Sequence, residues 1–421
     1  MNSSLMPQQL ASNDTDEPLK GLAELMTLAF RGVDLTPLGR TLLESAGKIS
    51  GPSSANALMD AATILQIKGN HEVALRVQEY ALQLRQLYQL PARKQPAIRL
   101  LAFYAKGVLN SNTPLEFLVE NSDIELNILY LSDGLPLPDH LPPHDVLFVA
   151  IGESEANRTL LRRLEAVIPA WPRPVLNLPA SIARLARDTA SELLQSAPGV
   201  VMPRSFRIER QTLDRVGRGE QHIACIQEGM DFPVIVRPVG SHAGKGLVKA
   251  NDPECISEYL QTMPQFEFYV TRFVDYRSKD GLFRKYRVVL IDGQPYAGHM
   301  AISEDWMIHY LNAGMIDSAD KRAAESSFMK HFDEDFAFRH QAALRSIAGR
   351  IGLDYLVIDC GETHDGKLLV FEVDSSAVVH AMDPIEIFPY KKPQMQKVFA
   401  AFRAMLVKAM ERGLRENYAS N

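Results

Sequence analysis

Residues 355–376 read YLVIDCGETHDGKLLVFEVDSS, two β-branched runs separated by a short polar stretch. The dipeptide Asp365-Gly366 is a strong signal for a two-residue β-hairpin turn. In such a turn His364 pairs with Lys367, which sets the register of both strands along their whole length. The stretch therefore predicts a β-hairpin whose facing residues follow directly from the sequence.

Three carboxylates fall on one face of this hairpin. The register places Asp359 directly opposite Glu372, and Asp374 points to the same side because side chains alternate along a strand. Val357 and Val370 share that face. The other face is apolar and suits a core; it consists of Leu356, Ile358, Cys360, Leu369, Phe371 and Val373.

Directly opposed carboxylates repel each other at a Cβ separation of about 5 Å, so this face needs a compensating positive charge. A hard divalent cation supplies it, because Mg²⁺ prefers carboxylate oxygens and the phosphates of a nucleotide. The alternative is a solvated outer face whose charges are screened by water. The two valines among the carboxylates favour the metal site.

A second motif, residues 232–250, reads FPVIVRPVGSHAGKGLVKA. Gly240, Gly244 and Gly246 allow the positive φ angles and the close backbone approach with which N–H groups bind phosphate. The spacing differs from that of a Walker A loop, and a strand follows instead of a helix. An ordinary glycine-rich hairpin is the alternative.

A third motif, residues 285–302, reads KYRVVLIDGQPYAGHMAI. It predicts a second hairpin with a tight turn at Asp292-Gly293. Arg287 opens the first strand of this hairpin. A strand-initial arginine is usually a surface residue, so by itself it does not indicate phosphate binding.

The composition is that of an ordinary soluble protein with more than one domain. The chain has 421 residues, of which 46% are hydrophobic and 23% charged, and its formal net charge is -6. It has no basic block, which argues against nucleic acid or an anionic membrane as a partner. No uncharged apolar run approaches the roughly 20 residues that span a bilayer.

The cysteines and the amino terminus predict a cytoplasmic protein. Cys225, Cys255 and Cys360 are odd in number and far apart, so neither a disulfide framework nor a structural zinc site is expected. The first residues are polar and acidic and lack the apolar segment of a secretory signal. We expect residues 1–18 to form a disordered tail.

Two regions precede the motifs. From residue 19 to about residue 90 the apolar residues have helical spacing, and residues 55–88 resemble one tetratricopeptide unit, with a generic helical hairpin as the alternative. The unit rests on Leu58, Ala62, Leu65, Gly69, Ala74 and Ala81. The second region alternates strands and helices, with strands predicted at 127–131, 145–151 and 174–178. No G-x-G-x-x-G follows these strands, so a dinucleotide site is not predicted.

In this order the motifs resemble the ATP-grasp superfamily, closest to carboxylate-amine ligases such as glutathione synthetase, D-alanine:D-alanine ligase and the ribosomal-protein glutamate ligases. The quoted series is VIVRPVGSHAGKG, YVTRFVDY, KYRVVLIDGQPYAGH, HYLNAG and GLDYLVIDCGETHDGKLLVFEVDSS, within about residues 174–384. The resemblance implies an α/β (α+β) fold. Its divisions would be a tail at 1–18, a helical domain at 19–96, a pre-ATP-grasp α/β domain at 97–205, an ATP-grasp domain of two subdomains at 206–415 and a tail at 416–421.

The resemblance also implies residue roles. Asp359, Glu372 and Asp374 would hold Mg²⁺ or Mn²⁺, while Arg287 and Asn312 would act near the transferred phosphoryl group. ATP would be bound by Arg237, Ser241, Gly244, Lys245 and Gly246, and its adenine by a hinge made of Thr271, Arg272, Phe273 and Val274.

Three positions depart from the family pattern. The family usually has lysine at the positions of Arg237 and Thr189, and glutamate near Arg272. Arg237 can still bind phosphate through a planar fork. Thr189 cannot replace a cation, and the sequence leaves open whether the neighbouring Arg187 reaches the site.

The predicted function is ATP-dependent amide or peptide bond formation between a small-molecule or peptide carboxylate and an amine, through an acyl phosphate. A kinase on the same fold and a non-catalytic, nucleotide-binding helical scaffold are the alternatives. The histidines beside the motifs, His299, His309 and His380, are expected to be ordinary packed or surface residues. A protein or peptide partner, or a second copy of the chain, is assigned as a hypothesis to the helical region.

Overall fold

The computed structural model describes residues 18–48, 51–241 and 244–419. Within these ranges the chain forms β-sheets covered by helices, which confirms the predicted mixed α/β class. The tail predicted at residues 1–18 lies outside the described ranges apart from Pro18.

The amino-terminal region is helical and ends in a strand. Helices α3 and α4 pack on each other across a turn at Gly69, whose φ of 81° suits glycine. Its tetratricopeptide identity stays a prediction. The elements are α1 (Gly21–Phe30), α2 (Thr36–Lys48), α3 (Ala55–Ile67), α4 (His71–Leu84) and β1 (Leu87–Leu90).

The strand β1 corrects the prediction of helix up to about residue 90. Tyr88 is buried and pairs antiparallel with Ile128, so this strand is part of the first β-sheet. The backbone partners and the burial come from a distant strand, which the local spacing of apolar residues cannot reveal. Backbone hydrogen bonds therefore run from the helical region directly into the following α/β region.

The first sheet has the strand order β1-β3-β2-β4-β5, and β2 to β5 are parallel to one another. All three strands predicted in this region are present. The elements are β2 (Ile98–Ala105), α5 (Leu115–Leu118), β3 (Ile124–Leu131), β4 (Val146–Val149), α6 (Arg158–Val167), β5 (Val175–Leu176), α7 (Pro179–Ile182) and α8 (Arg187–Leu194).

A small antiparallel sheet with the order β7-β10-β8-β9 has a hydrophobic core of its own, which includes Leu213, Val234 and Phe268. One of its faces is turned away from that core and carries polar side chains. The elements are β6 (Val200–Val201), which belongs to the next sheet, β7 (Ser205–Glu209), α9 (Arg210–Gly217), β8 (Val234–Pro238), β9 (Val248–Ala250), α10 (Pro253–Thr262) and β10 (Glu267–Arg272).

The third sheet has the order β12-β11-β13-β14-β6. Its first hairpin turns at Asp292 and Gly293, both with positive φ, as the sequence predicts for a tight turn. The elements are β11 (Phe283–Ile291), β12 (Gln294–Ser303), α11 (Ala319–Lys330), α12 (Phe336–Arg339), α13 (Gln341–Ile351), β13 (Tyr355–Glu362), β14 (Leu368–Asp374) and α14 (Lys391–Ala419).

Helix α14 runs through Ala419 and so enters the segment predicted as the second tail. Its Gly413 lies against Pro174, which shows that the end of the helix still packs on the body of the protein. No helix in the described ranges is both long and apolar enough to cross a membrane.

The turn of the β13/β14 hairpin differs from the prediction. Thr363 donates its N–H to the carbonyl of Lys367, and Gly366 donates to the carbonyl of Thr363. Gly366 has a φ of 78°. This is a three-residue loop, a type I turn closed by a glycine bulge, and not the predicted two-residue turn. The strands therefore leave the turn one residue out of the predicted register.

A β-bulge restores the register before the carboxylates are reached. Cys360 pairs with Val370 but Asp359 pairs with Glu372, so Phe371 is an extra residue. The predicted pairing of Asp359 with Glu372 is confirmed. The predicted faces beyond the bulge are wrong: Val370 shares the core face with Cys360, while Leu369 and Phe371 lie in a separate cluster with Tyr276.

Two buried carboxyl groups hold the start of helix α1, where the first N–H groups have no partner within the helix. Asp60 accepts hydrogen bonds from the N–H groups of Lys20 (2.9 Å) and Gly21 (3.0 Å). Glu116 accepts from Ala23 at 3.0 Å. Burial raises the pKa of Asp60 to about 6 and that of Glu116 to about 7. The helical region is thus anchored to the rest of the chain by polar contacts as well as by β1.

Asp60 makes stability depend on pH. The folded state binds its proton more tightly than the unfolded chain, so this contribution is complete below about pH 4 and is lost as the pH rises through about 6. We expect Asp60→Asn, which keeps an acceptor oxygen, to reduce the stability difference between about pH 5 and pH 7.5 by about 1 kcal/mol. Urea denaturation at both pH values measures it. The exposed Asp139→Asn is the control, and an unchanged pH dependence in Asp60→Asn would contradict the assignment.

Candidate functional site

The centre of the candidate site is an ion pair between neighbouring strands. Arg287 in β11 lies directly opposite Asp359 in β13. Its Nε donates to Oδ1 at 2.8 Å and its Nη2 to Oδ2 at 3.0 Å, a bidentate arrangement. Nη1 of Arg287 donates to the carbonyl of Val378 at 3.0 Å, in the loop after β14. The predicted site residue Arg287 is therefore a largely covered cation beside Asp359, with 19% of its side chain exposed.

A second bulge makes room for this arginine. The pairing of β11 with β12 shifts after Arg287, which faces His299, and leaves Gly298 as the extra residue. A Cβ on Gly298 would lie 2.9 Å from Cγ and 3.0 Å from the carbonyl oxygen of Arg287. Only glycine allows this close approach.

Asp359 has a further cation beside it. Nζ of Lys285 lies 2.7 Å from its Oδ2, and the aspartate side chain is only 9% exposed. Burial alone would raise the pKa of Asp359, but the charges of Arg287 and Lys285 outweigh it and hold the pKa well below its usual range. Asp359 is therefore ionised at neutral pH, and both of its oxygens are engaged.

Glu372 is held by Arg187, at the amino-terminal end of α8. Nη2 of Arg187 donates to Oε1 of Glu372 at 2.6 Å. Burial opposes ionisation of Glu372, whereas Arg187 and the nearby Arg237 lower its pKa. Arg187, two positions before Thr189, therefore reaches the carboxylate face, which the sequence alone left open.

Asp374 differs from the other two carboxylates because no ion pair within the described residues involves it. Its Oδ1 accepts only the N–H of Ser376, at 2.7 Å. Burial and the charge of Glu372 raise its pKa. The site thus holds one carboxyl group whose charge is not compensated by the protein.

The glycine-rich loop lies across from these carboxylates. Arg237, in β8, is 8% exposed and donates through Nε to Oγ of Ser241 at 3.1 Å and through Nη2 to the Ser241 carbonyl. Burial and the neighbouring Arg187 lower the pKa of Arg237 to about 10. Lys245 is exposed. Arg237 and Ser241 therefore form a cation and hydroxyl pair at the start of the loop.

His309 connects the loop to the third sheet. A Cβ on Gly244, whose φ is 70°, would lie 2.3 Å from Nε2 of His309. Burial and the charge of Lys285 lower the pKa of His309, so its imidazole is neutral at pH 7. Burial and Arg287 likewise lower the pKa of His299, which packs on Tyr310. The sequence predicts only packed or surface positions for both histidines. Their position beside the site follows from the tertiary structure alone.

The predicted hinge, residues 271–274, begins in the last two residues of β10 and continues into the loop after it. Its residues Arg272, Phe273 and Val274 line a cavity of about 410 Å³, and the amino group of Lys249 lies 4.0 Å from the centre of the Phe273 ring. The phosphate-side residues do not line this cavity. Thr271 donates its hydroxyl to the carbonyl of Arg204 at 2.8 Å.

Asn312 is placed differently from the other predicted residues. It is exposed, and its side-chain oxygen accepts the N–H of His309 at 2.9 Å, which caps a short 3₁₀ turn. The structure thus brings His309, and not Asn312, against the glycine loop. The catalytic role of Asn312 stays a prediction.

The carboxylates do not form a metal centre in the described conformation. Across residues 18–48, 51–241 and 244–419, no three histidine, cysteine, aspartate or glutamate side chains converge as metal ligands would. Cations of the protein pair with two of these carboxylates. Lys285 and Arg287 bind both oxygens of Asp359, and Arg187 binds one oxygen of Glu372.

The sequence matches no family model and no curated protein. Solved structures are similar in fold. A D-alanine–D-alanine ligase from Bacillus anthracis complexed with ATP is 14% identical, with a TM-score of 0.45 over 75% of this chain and 99% of that one. VanG D-Ala:D-Ser ligase from Enterococcus faecalis is also 14% identical, with a TM-score of 0.45 over 75% of this chain and 100% of that one. The D-alanine-D-alanine ligase from Coxiella burnetii is 9% identical, with a TM-score of 0.48 over 77% of this chain and 98% of that one. Similarity at this level assigns no residue a role.

The close approach at Gly298 can be tested by adding one methyl group. We expect Gly298→Ala to displace Arg287 and to destabilise the protein by about 1 to 3 kcal/mol, because backbone atoms cannot move aside easily. Chemical denaturation measures this. Gly349→Ala, in helix α13 with open space around it, is the matched control and should be neutral or slightly stabilising. Equal effects of the two substitutions would contradict the packing constraint.

Proposed function

We propose that this protein is an ATP-dependent ligase of the ATP-grasp type, which activates a carboxylate as an acyl phosphate and joins it to an amine. The observation that carries the proposal is the meeting of two surfaces from different sheets. One comes from β8 and the glycine loop and carries Arg237; the other comes from β13 and β14 and carries the three carboxylates. A nucleotide triphosphate with a divalent cation matches both surfaces at once.

The donor chemistry of the carboxylate face fits Mg²⁺ or Mn²⁺. Asp374 is partly buried and has no ion pair within the described residues, and Glu372 lies two residues away on the same face. These two carboxylates, with Asp359 as a third, would hold the ion, which would neutralise charge on the phosphates and polarise the transferred phosphoryl group.

The side chains around this face have distinct tasks in the proposed reaction. Arg237 and Arg187 bind phosphate oxygens through planar forks. Arg287 stabilises the charge of the transferring phosphoryl group, since its position is set by Asp359 and Val378. The loop around Gly244 excludes water, and the hinge at residues 271–274 positions the purine.

Two steps follow. An oxygen of the substrate carboxylate attacks the γ-phosphorus, and ADP leaves with the electron pair of the broken bond. The amine nitrogen then attacks the acyl carbon, inorganic phosphate leaves, and the amine loses a proton to solvent. No enzyme nucleophile is needed, which agrees with Cys360 being buried with a raised pKa.

The reaction can be tested with a panel of carboxylates and amines. We expect ADP, phosphate and a new amide, detected by mass spectrometry, and a loss of about 100-fold or more in Glu372→Gln. The exposed Glu165→Gln in α6 should match the wild type. ADP with a phosphorylated alcohol and no free phosphate would indicate a kinase instead. Nucleotide binding without turnover across the panel would indicate a non-catalytic scaffold.

Arg237 provides a separate test of nucleotide binding. We expect Arg237→Gln to weaken ATP binding by about 10-fold to 100-fold, because a hydrogen bond from a charged donor to phosphate is lost. Isothermal titration calorimetry measures the dissociation constant. Arg163→Gln removes an exposed arginine that pairs only with Asp133 in the described chain and serves as the control. An unchanged dissociation constant in Arg237→Gln would place the phosphates elsewhere.

The substrates of the proposed ligase are a small-molecule or peptide carboxylate and an amine. A protein or peptide partner for the amino-terminal helices, and a homodimer, remain hypotheses. Such a partner would contact exposed large side chains of α4, which include Val73, Leu75 and Tyr80 at 45%, 37% and 54% exposure.

A further inference from the structure

Cations of the protein are paired with two of the three carboxylates, Asp359 and Glu372, that the proposed function assigns to the metal ion. Lys285 and Arg287 fill the two oxygens of Asp359, and Arg187 binds Glu372. We propose that Arg187 and Lys285 are exchangeable counter-ions, which leave the carboxylates for the phosphates when the nucleotide arrives. The metal ion and the nucleotide then bind only as a pair. This inference rests on the proposed function and adds an order of binding to it.

The resting site requires such counter-ions. Buried carboxylates are costly unless a cation neutralises them, and the side chain of Asp359 is 9% exposed. A metal ion arriving alone would have to displace Lys285 and Arg187, and these cations would then have no anion nearby. The triphosphate supplies that anion, because it carries more negative charge than one divalent ion removes.

The geometry distinguishes the cations that can leave from the one that cannot. Arg287 makes three hydrogen bonds, two to Asp359 and one to Val378, and Gly298 packs against its backbone. Within the described residues, Arg187 has one ion pair, through Nη2, and Lys285 has one, through Nζ. Exposure does not distinguish the three side chains, since Arg187, Lys285 and Arg287 are 20%, 19% and 19% exposed, but the number of contacts does. A long side chain with a single contact exchanges partners at lower cost than one held by a bidentate pair and a third hydrogen bond.

Arg187 also lies close to the glycine-rich loop, where the phosphates would bind. Its charge is close enough to Arg237 to affect that residue electrostatically, and Arg237 lies in β8 just before the glycine loop. Lys285 is likewise near His309, which touches Gly244. Each exchangeable cation therefore has carboxylates on one side and the phosphate-binding loop on the other.

The experiment measures Mn²⁺ binding by electron paramagnetic resonance on the full-length protein, with and without a non-hydrolysable ATP analogue. We expect the wild type to bind Mn²⁺ at least about tenfold more tightly when the analogue is present, the usual size of a coupling between two sites. Arg187→Gln should bind Mn²⁺ without the analogue, because Glu372 is freed. Lys285→Gln should do the same through Asp359, which provides a second, independent variant. The distant Arg163→Gln should behave as the wild type.

The outcomes separate the inference from the proposed function. Equal Mn²⁺ affinity of the wild type with and without the analogue would overturn the inference and leave the ligase proposal standing. Unchanged metal binding in both folded glutamine variants, checked by circular dichroism, would also overturn it. A wild type that binds neither the analogue nor Mn²⁺ together with it would refute the proposed function itself, and the inference with it.

Discussion

The ion pair between Arg287 and Asp359 is the constraint on which the rest of the site depends. A buried arginine and a buried aspartate each carry a large desolvation cost, so the pair is tolerated only when both hydrogen bonds are made. This requires Arg287 and Asp359 to be cross-strand neighbours. A slip of one residue would turn one of them to the opposite face of the sheet. The pair thereby sets the register of β11 against β13, and the separate pairing of β13 with β14 places Glu372 opposite Asp359.

Two bulges flank this pair, at Gly298 on one neighbouring strand and at Phe371 on the other. They explain how far the sequence could predict the hairpin. The facing of Asp359 and Glu372 is correct, but it depends on two deviations that cancel: a three-residue loop at Gly366 and the extra residue Phe371. The turn at Asp292-Gly293 could be predicted outright, because positive φ at both positions is a local property. A bulge inside a strand depends on what packs against it, and no local pattern marked these two.

The counter-ions of the site show the other limit of sequence reasoning. Arg187 and Glu372 are 185 positions apart, and Arg187 stands in a stretch whose helical spacing gives no sign of chemistry. The carboxylates could be found because strand alternation brings them together within one hairpin. Their partners come from another helix and another strand, so their contacts follow from the tertiary fold alone. For the same reason the sequence predicts helix where the structure has β1. Tyr88 pairs with β3, a strand that begins only at Ile124.

The amino-terminal helices also contact the loop that helps to hold Arg287 in place. Asp60 and Glu116 hold the start of α1, and the other end of that helix brings Phe30 against the ring of His380. His380 is two residues from Val378, whose carbonyl accepts the third hydrogen bond of Arg287. The arginine is therefore fixed by its strand on one side and, on the other, by a loop that the helical region contacts. Because Asp359 and the carbonyl of Val378 hold Arg287 through three hydrogen bonds before any ligand is present, this arginine is preorganised. Arg187 and Lys285, each with one ion pair in the described chain, are the cations that we propose change partners.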